Sequence, residues 1–199
     1  MNRQKSKNKW NDHYSQKAKK ENYPARSVFK LQEIQEKFRL MKKGDRILDL
    51  GCSPGSWLLY AAEVAGKSGE VVGIDIKDVS INVPPNVKIH KEDIFSDDDE
   101  FSLSIGAGYN VILSDMAPDT TGNKFVDTAR SYALCEQALE YSKERLAPGG
   151  SFVCKIFQGE DFKAFSESVR SSFKKHKIYK PKSSRKASKE IFIIGIGKR

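Results

Sequence analysis

A lysine stands inside an apolar segment of the chain, where a charge needs a reason. The stretch GGSFVCKIFQGE, residues 149–160, predicts a buried strand that runs into a turn and contains Lys155. An ammonium group is costly to remove from water unless it is paired or loses its proton. Lys155 is therefore either an edge-strand lysine whose charge reaches solvent or an amine with a chemical role.

A glycine-rich turn offers a second place for chemistry. The stretch ILDLGCSPGSW, residues 47–57, predicts a strand, a tight turn and a helix that begins near Gly55. Such a turn lets a ligand approach the backbone at the carboxyl end of a sheet. The residue two positions after Gly51 is Ser53, so the G-x-G-x-x-G fingerprint of a dinucleotide site is absent.

Acidic residues end the next two predicted strands. Asp75 closes VVGID, 20 residues after Gly55, where a carboxylate can accept hydrogen bonds from both hydroxyls of a ribose. Asp93, in KEDIF, follows the next strand and is placed to reach an adenine amino group. A nucleoside cofactor without a pyrophosphate indicates S-adenosylmethionine.

The composition predicts a single soluble domain. With 199 residues and 38% hydrophobic content, the chain can bury one sizeable core, and it has no apolar run of membrane-spanning length. The N-terminal segment lacks the apolar stretch of a secretory signal, so we expect a cytoplasmic protein. The three cysteines form no CxxC pair and the three histidines are scattered, so no disulfide framework and no metal site is predicted.

Positive charge is concentrated at the two ends of the chain. Residues 1–43 hold 13 Lys/Arg against 4 Asp/Glu, and residues 174–189 hold 8 against none. The formal net charge is +9, so the residues between these two blocks are acidic. One interpretation is solvated tails; the other is a surface for a polyanion, provided that the fold brings both blocks to one face.

Strand and helix patterns alternate through the middle of the chain. The predicted strands are 46–50, 71–76, 87–90, 111–113, 151–157, 177–179 and 191–196. The predicted helices are 27–40, 56–65, 125–146 and 162–173. This alternation predicts an α/β fold with a mostly parallel, doubly wound sheet. The last two strands have only a basic loop between them, which predicts an antiparallel C-terminal pair.

These motifs together resemble one known family. From about residue 23 to 197 the chain is similar to the FtsJ/RrmJ family of ribose 2′-O-methyltransferases, the heat-shock methyltransferases that act on large-subunit ribosomal RNA. The resemblance rests on ARSVFKLQEI, DLGCSPGSW, Asp75, Asp93, SDMAPDTTG, LAPGGSFVCKIFQGE and SSRKASKEIFIIG, in the family's order. It implies a Rossmann-like S-adenosylmethionine-dependent methyltransferase domain over residues 23–199, preceded by a flexible basic arm over residues 1–22.

The resemblance also implies which residues form the site. The family's catalytic set falls on Lys30, Asp115, Lys155 and Glu190. The implied cofactor-binding residues are Gly51, Pro54, Gly55, Trp57, Asp75, Ile76, Asp93, Ile94 and Asp115. The chain departs from bacterial members in having Cys52-Ser53 in place of two small residues such as Ala-Ala. It also has Asp119 in place of Asn, which is similar to tRNA-modifying relatives.

Methyl transfer to a ribose hydroxyl requires that the hydroxyl proton be accepted. An amine buried among apolar residues, beside a second cation at Lys30, is favoured to lose its proton. We therefore hypothesise that Lys155 is the base or orients the hydroxyl, and that Asp115 holds its amine. Glu190 would position Lys30; the alternative for this pair is an ordinary surface ion pair of about 0 to 1 kcal/mol.

We expect an RNA partner, because the carboxyl strand ends and the two basic blocks can surround one cleft. The candidates for phosphate contacts are Arg26, Lys182, Arg185 and Lys186. Tyr23 or Phe29 could stack on a base, although core packing is the simpler role for each. A monomer is expected.

The bacterial resemblance points to methylation of a uridine of large-subunit RNA within a ribosomal particle. Three other functions stay open, and the first is a tRNA ribose methyltransferase. A methyltransferase of small molecules or proteins could share the cofactor half, but it would not need the basic blocks. A non-catalytic RNA-binding assembly factor could keep the basic surface.

Overall fold

A seven-stranded sheet forms the centre of the computed structural model, which describes residues 9–119, 121–185 and 187–199. The helices of the described residues are α1 (Lys9–Lys20), α2 (Val28–Phe38), α3 (Ser56–Ala65), α4 (Asp99–Ile105), α5 (Lys124–Arg145) and α6 (Phe162–Ser172). The strands are β1 (Arg46–Leu50), β2 (Glu70–Asp75), β3 (Val87–Lys91), β4 (Tyr109–Ser114), β5 (Leu146–Phe157), β6 (Phe173–Tyr179) and β7 (Glu190–Lys198).

The sheet is parallel over five strands and antiparallel at one side. Its order is β3-β2-β1-β4-β5-β7-β6, with β1 to β5 parallel and β7 antiparallel to both β5 and β6. The predicted α/β class, the doubly wound parallel sheet and the antiparallel C-terminal pair are thus confirmed. The final strand lies between β5 and β6, so its first residues meet the carboxyl end of β5.

The side chains of each strand alternate between the two faces of the sheet, so the core has two layers. On one face, Leu48, Ile112 and Phe152 pack against residues of α4, α5 and α6. On the other face, neighbouring strand residues such as Ile47 and Val153 pack against α2 and α3. Because successive side chains point to opposite faces, apolar runs in these strands are buried on both sides.

The turn after β1 depends on glycine. Gly51 has φ 76° and Gly55 has φ 107°, a region that other residues adopt only with strain. A Cβ atom at Gly55 would lie 2.2 Å from Cδ1 of Ile81, and one at Gly51 would lie 2.4 Å from Cγ of Met116. The two glycines therefore let neighbouring loops close over the turn at the carboxyl edge of the sheet.

Part of the predicted N-terminal arm is helical. Helix α1 occupies Lys9–Lys20, and Ala18 is buried in a small cluster with Tyr23, Val28 and Phe29. A flexible basic arm was expected here; the helix that the structure shows contacts α2 through this cluster. Residues 1–8 lie outside the described residues, and the boundary between an arm and a domain stays a prediction.

The other elements agree with the sequence patterns to within a few residues. The exceptions are β5, which begins five residues earlier than predicted, and β6, which begins four residues earlier. Helix α4 was not predicted, because its seven residues give only two buried positions, Phe101 and Ile105. Among the described residues, no helix has both the length and the hydrophobicity needed to cross a membrane.

Candidate active site

Lys155 lies in the interior of the sheet. Strand β5 is flanked by β4 and β7, so Lys155 is not an edge-strand lysine, and only 8% of its side chain is exposed. Its Nζ donates a hydrogen bond to the backbone carbonyl of Asp115 and lies 3.0 Å from Oδ1 of the same residue. The register of β4 and β5 explains this contact, because Ser114, the last residue of β4, lies opposite Cys154. Asp115 directly follows Ser114, and Lys155 directly follows Cys154.

A second ion pair lies on the same face of the sheet. The Nζ of Lys30, on α2, is 2.8 Å from Oε1 of Glu190, with 14% and 12% of the two side chains exposed. Burial opposes the charge of Glu190, but Lys30, the hydroxyl of Ser184 and the charge of Lys155 outweigh it and hold the pKa of Glu190 below its ordinary value. This pair is therefore not an ordinary surface ion pair.

Phe192 connects the two ion pairs. It lies opposite Lys155 in the β5–β7 register, it is fully buried, and Glu190 is two residues before it on the same strand. The Nζ of Lys30 is 5.9 Å from the centroid of its ring. The four side chains that the sequence predicted as a catalytic set are thus brought together as two ion pairs around one aromatic ring.

Asp49 is a buried carboxyl group that the sequence analysis did not select. It is the next-to-last residue of β1 with no solvent exposure, and neither of its oxygens has a hydrogen-bond partner among the described residues. Burial first, and then the negative charges of Asp115 and Asp75, raise the pKa of Asp49 well above its ordinary value. The signal that selects Lys155, a charge inside an apolar strand, is also present in the sequence ILDLG.

The glycine turn and Asp75 are bound to each other. The backbone N–H of Ser53 donates to Oδ2 of Asp75 at 2.8 Å, and the N–H of Lys77 donates to Oδ1 at 2.8 Å. Asp75 therefore ties the turn after β1 to the end of β2. Its partly exposed carboxylate lies beside Gly51 and Gly55 at the carboxyl edge, as the sequence predicted.

The other predicted cofactor residues differ in their accessibility. Pro54 and Asp93 are exposed, and 59% of Ile76 is exposed beside Asp75, although it is apolar. Ile94 is buried in the core. The indole N–H of Trp57 donates to the carbonyl of Ser27 at 2.8 Å, and its ring centroid is 5.8 Å from that of Phe192. The side chains of Ile94 and Trp57 are therefore packing groups, and only their backbone remains for a ligand.

The segment 180–189 is called the basic loop here, and it is anchored to α2. Both oxygens of Glu33 accept hydrogen bonds from backbone N–H groups, Oε2 from Lys182 at 2.7 Å and Oε1 from Ser183 at 2.8 Å. The next residue, Ser184, donates from Oγ to Oε1 of Glu190 at 2.9 Å. Glu33 thus fixes the loop that contacts the second ion pair, and no sequence pattern identified it.

Three of the four predicted phosphate-contacting residues lie at this loop. Arg26 donates from Nη2 to the carbonyl of Ser183 at 2.6 Å, and burial together with the charge of Arg185 lowers its pKa. Lys182 and Arg185 are exposed. Lys186 lies outside the described residues. The basic loop is therefore held against the start of α2, where Lys30 is located.

The two aromatic residues considered for base stacking belong to the core. Tyr23 and Phe29 are 7% and 3% exposed and pack in the cluster below α1. The hydroxyl of Tyr23 donates to Oε2 of Glu63 at 2.7 Å. Core packing, the simpler of their two expected roles, is confirmed. The three cysteines are also buried and unpaired, and no group of metal-ligating side chains occurs in the described part of the chain.

A glycine turn beside Asp75 in a doubly wound sheet, with a buried Lys/Asp/Lys/Glu set at the same edge, is typical of enzymes that bind their ligands at the carboxyl ends of the strands. Comparison with known proteins identifies the family. The family model of the FtsJ-like methyltransferases matches residues 23–198. The chain belongs to the FtsJ-like methyltransferase family, and the resemblance inferred from its motifs is confirmed.

Close relatives are similar over nearly their whole length. The chain is 58% identical over 193 residues to the ribosomal RNA large subunit methyltransferase E of Desulforapulum autotrophicum, covering 97% of this chain and 95% of the relative. It is 51% identical to the protein of that name in Desulfatibacillum aliphaticivorans, covering 99% and 95%. A crystal structure described as a ribosomal RNA methyltransferase of Plasmodium falciparum is 27% identical, with a TM-score of 0.78 over 88% of this chain and 98% of that one.

The buried carboxyl group of Asp49 generates a testable prediction about stability. In the unfolded chain it releases its proton near pH 3.9, whereas the folded protein retains the proton to a higher pH because its pKa is raised. Above about pH 4 the unfolded state therefore binds fewer protons, and this group makes the free energy of unfolding fall as the pH rises. We expect Asp49→Asn to gain stability relative to the wild type as the pH rises.

Urea denaturation at several values between pH 5 and 8 measures this difference. Asp97→Asn, which removes the same charge from an exposed position, is the matched control and should run parallel to the wild type. A constant difference between Asp49→Asn and the wild type over this range would contradict a raised pKa.

Proposed function

We propose that this methyltransferase transfers a methyl group from S-adenosylmethionine to a ribose 2′-hydroxyl of RNA, and that the target is a uridine of large-subunit ribosomal RNA within a ribosomal particle. One observation carries the proposal. Lys155 and Asp115 form a buried ion pair at the edge of the sheet where the glycine turn and Asp75 also lie.

The residues at this edge fit the cofactor. Gly51 and Gly55 allow the tight turn at this edge with Met116 and Ile81 packed against it, and Asp75 offers a carboxylate that can accept hydrogen bonds from ribose hydroxyls. The exposed apolar side chain of Ile76 and the exposed carboxylate of Asp93 are suited to an adenine ring and its amino group. When bound, S-adenosylmethionine supplies an electrophilic methyl group on a sulfonium.

Replacing Asp75 with Ala tests the cofactor site. We expect binding of S-adenosylhomocysteine to weaken by about 1 to 3 kcal/mol, because the ribose hydroxyls lose a charge-assisted acceptor. Titration calorimetry measures this change. Asp78→Ala is the matched control, since its exposed carboxylate pairs with Lys91 at 2.8 Å. Equal affinity in the Asp75 variant and the wild type would remove Asp75 from the site.

Lys155 is held in a fixed position, as a proton acceptor for the 2′-hydroxyl must be. Its Nζ is held by the carbonyl and the carboxylate of Asp115, so the nitrogen is fixed in position at the carboxyl edge of the sheet. After deprotonation, the lone pair of the amine can take the hydroxyl proton as the ribose oxygen attacks the methyl group. Asp115 then stabilises the ammonium that forms.

Lys30 is suited to holding the target ribose. Glu190 fixes its ammonium at 2.8 Å, and the hydroxyl of Ser184 fixes Glu190 in turn. An ammonium has three N–H donors, so two remain for ribose or phosphate oxygens when one is used by Glu190. We assign Lys30 and Glu190 to positioning of the substrate.

The charge of the basic loop and the names of the relatives both support an RNA substrate. The basic loop presents Lys182 and Arg185 beside the start of α2, which suits a phosphate backbone. The relatives compared above are named as methyltransferases of large-subunit ribosomal RNA. Asp119, the residue similar to tRNA-modifying relatives, pairs with Lys77 at the surface, 3.2 Å away. Cytoplasmic location and a monomeric state stay predictions.

Methylation assays on three RNA substrates test the function. We expect the protein to methylate large-subunit particles from cells that lack its gene more efficiently than deproteinised large-subunit RNA, and tRNA not at all. Nuclease digestion and mass spectrometry should locate the methyl group on a uridine 2′-oxygen. Methylation of tRNA alone would assign the tRNA function, and RNA binding without methyl transfer would assign an assembly factor.

Substitution of Lys155 tests the mechanism. Lys155→Ala should lower the single-turnover rate by roughly 10²- to 10⁴-fold, because it removes the proton acceptor. Lys155→Arg should not restore the rate, since a guanidinium stays protonated.

Two controls separate chemistry from folding. Thermal unfolding and cofactor affinity are measured for each variant, and Lys88→Ala removes an exposed strand lysine. Near-normal activity of Lys155→Arg would make Lys155 an electrostatic orienter and would overturn its assignment as the base.

A further inference from the structure

A cleft of about 490 Å³ lies between α1, α2 and the beginning of the basic loop. Its volume falls within the range of about 300 to 1,000 Å³ that is typical of ligand sites. Phe29, Glu33 and Lys37 line it at helical spacing along α2, whereas Lys30 on the same helix faces Phe192 and the catalytic set. The cleft is therefore separate from the candidate active site.

Aromatic rings and lysines alternate around this cleft. The Nζ of Lys37 lies 4.4 Å from the ring centroid of Tyr179, and the Nζ of Lys17 lies 4.5 Å from that of Phe29. Tyr14 and Tyr179 line the cleft and are half-buried, whereas Phe29 is buried. The ring of Tyr14 also contacts Arg26, 5.2 Å away, and that of Tyr179 contacts Phe38, 5.5 Å away. Rings beside cations are the groups with which proteins stack unpaired bases and contact the adjoining phosphates.

Positive side chains outnumber negative ones by one around the cleft. Lys17, Lys37 and Lys182 line it, together with Glu33 and Glu36. Both carboxylate oxygens of Glu33 already accept hydrogen bonds from the backbone of the basic loop. Three ammonium groups and two carboxylates therefore line the cleft, and the Nζ of Lys17 also lies 3.8 Å from Oε1 of Glu21.

The cleft is connected to the candidate active site through the basic loop. Lys182 lines the cleft, and Ser184, two residues later, donates to Glu190 in the second ion pair. Arg26 donates to the carbonyl of Ser183 between them. An RNA strand that leaves the target ribose over the basic loop would therefore reach the cleft after crossing a short basic surface.

We propose that this cleft is a second RNA subsite, which binds an unpaired nucleotide of the substrate by stacking on Tyr14 or Tyr179 and by phosphate contacts from Lys17 and Lys37. The proposal rests on the proposed function, since it assumes an RNA substrate. It adds a requirement that the substrate be single-stranded near the target nucleotide. Helix α1 then forms one wall of the RNA-binding surface.

Salt-dependent binding of a single-stranded oligouridylate of 12 nucleotides tests the subsite. The variant Lys17→Gln/Lys37→Gln should bind more weakly than the wild type. The salt slope of its binding constant should be smaller by about 1.4, because each lysine that neutralises a phosphate of a single strand adds about 0.7 to the slope. The matched control is Lys43→Gln/Lys67→Gln, which removes the same charge from exposed positions at the opposite edge of the sheet and should keep the wild-type slope.

Photocrosslinking tests the stacking contact directly. With 5-iodouridine in the oligonucleotide, we expect crosslinked peptides that contain Tyr14 or Tyr179. A wild-type slope in the cleft variant, or crosslinks that fall only outside these peptides, would overturn the subsite. Binding to an acidic peptide but not to RNA would assign the cleft to a protein partner and would also overturn it. Neither the binding assay nor the crosslinking needs methyl transfer. A wild-type protein that binds RNA at the cleft without methylating it would therefore refute the proposed function but not the subsite.

Discussion

The cost of keeping the Lys155 ammonium out of water constrains the arrangement of the whole site. A cation in this position requires an anion within a few ångströms, and the parallel register of β4 and β5 supplies one as Asp115. Because the carboxyl ends of parallel strands share an edge, the same register places this pair beside the glycine turn that follows β1. The candidate site therefore depends on strand order as much as on the residues themselves.

The antiparallel strand β7 contributes to the site as well as to the sheet. A parallel strand inserted at this place would bring its first residue to the opposite edge, far from Lys155. Antiparallel pairing sets Glu190, the first residue of β7, opposite Phe157 at the end of β5. Glu190 is then within 2.8 Å of Lys30 on α2, and Phe192 lies between the two ion pairs. Reversal of the last strand is what delivers a carboxylate to the carboxyl edge.

Much of this arrangement could be predicted from the sequence because it depends on local patterns. Buried strands and amphipathic helices have distinct periodicities, and the order of the motifs indicated the catalytic set. The position of β7 between β5 and β6 follows from long-range packing, which no local pattern contains. The anchoring of the basic loop by Glu33 joins residues about 150 positions apart, and α1 acquires its helical structure through contact with α2. Asp49 was missed although it carries the same signal as Lys155.

Burial of two ion pairs indicates selection for position more than for stability. The desolvation of two charges often cancels their attraction, so an apolar replacement of both partners can leave a protein equally stable. Two such pairs around Phe192, with Asp49 lacking a hydrogen-bond partner in the described part of the chain, would be a poor way to stabilise a core. A buried pair does, however, hold each charged atom in one place, because any movement leaves a charge without compensation. That property suits an amine that must meet a ribose oxygen at the edge of the sheet where the cofactor and substrate would meet.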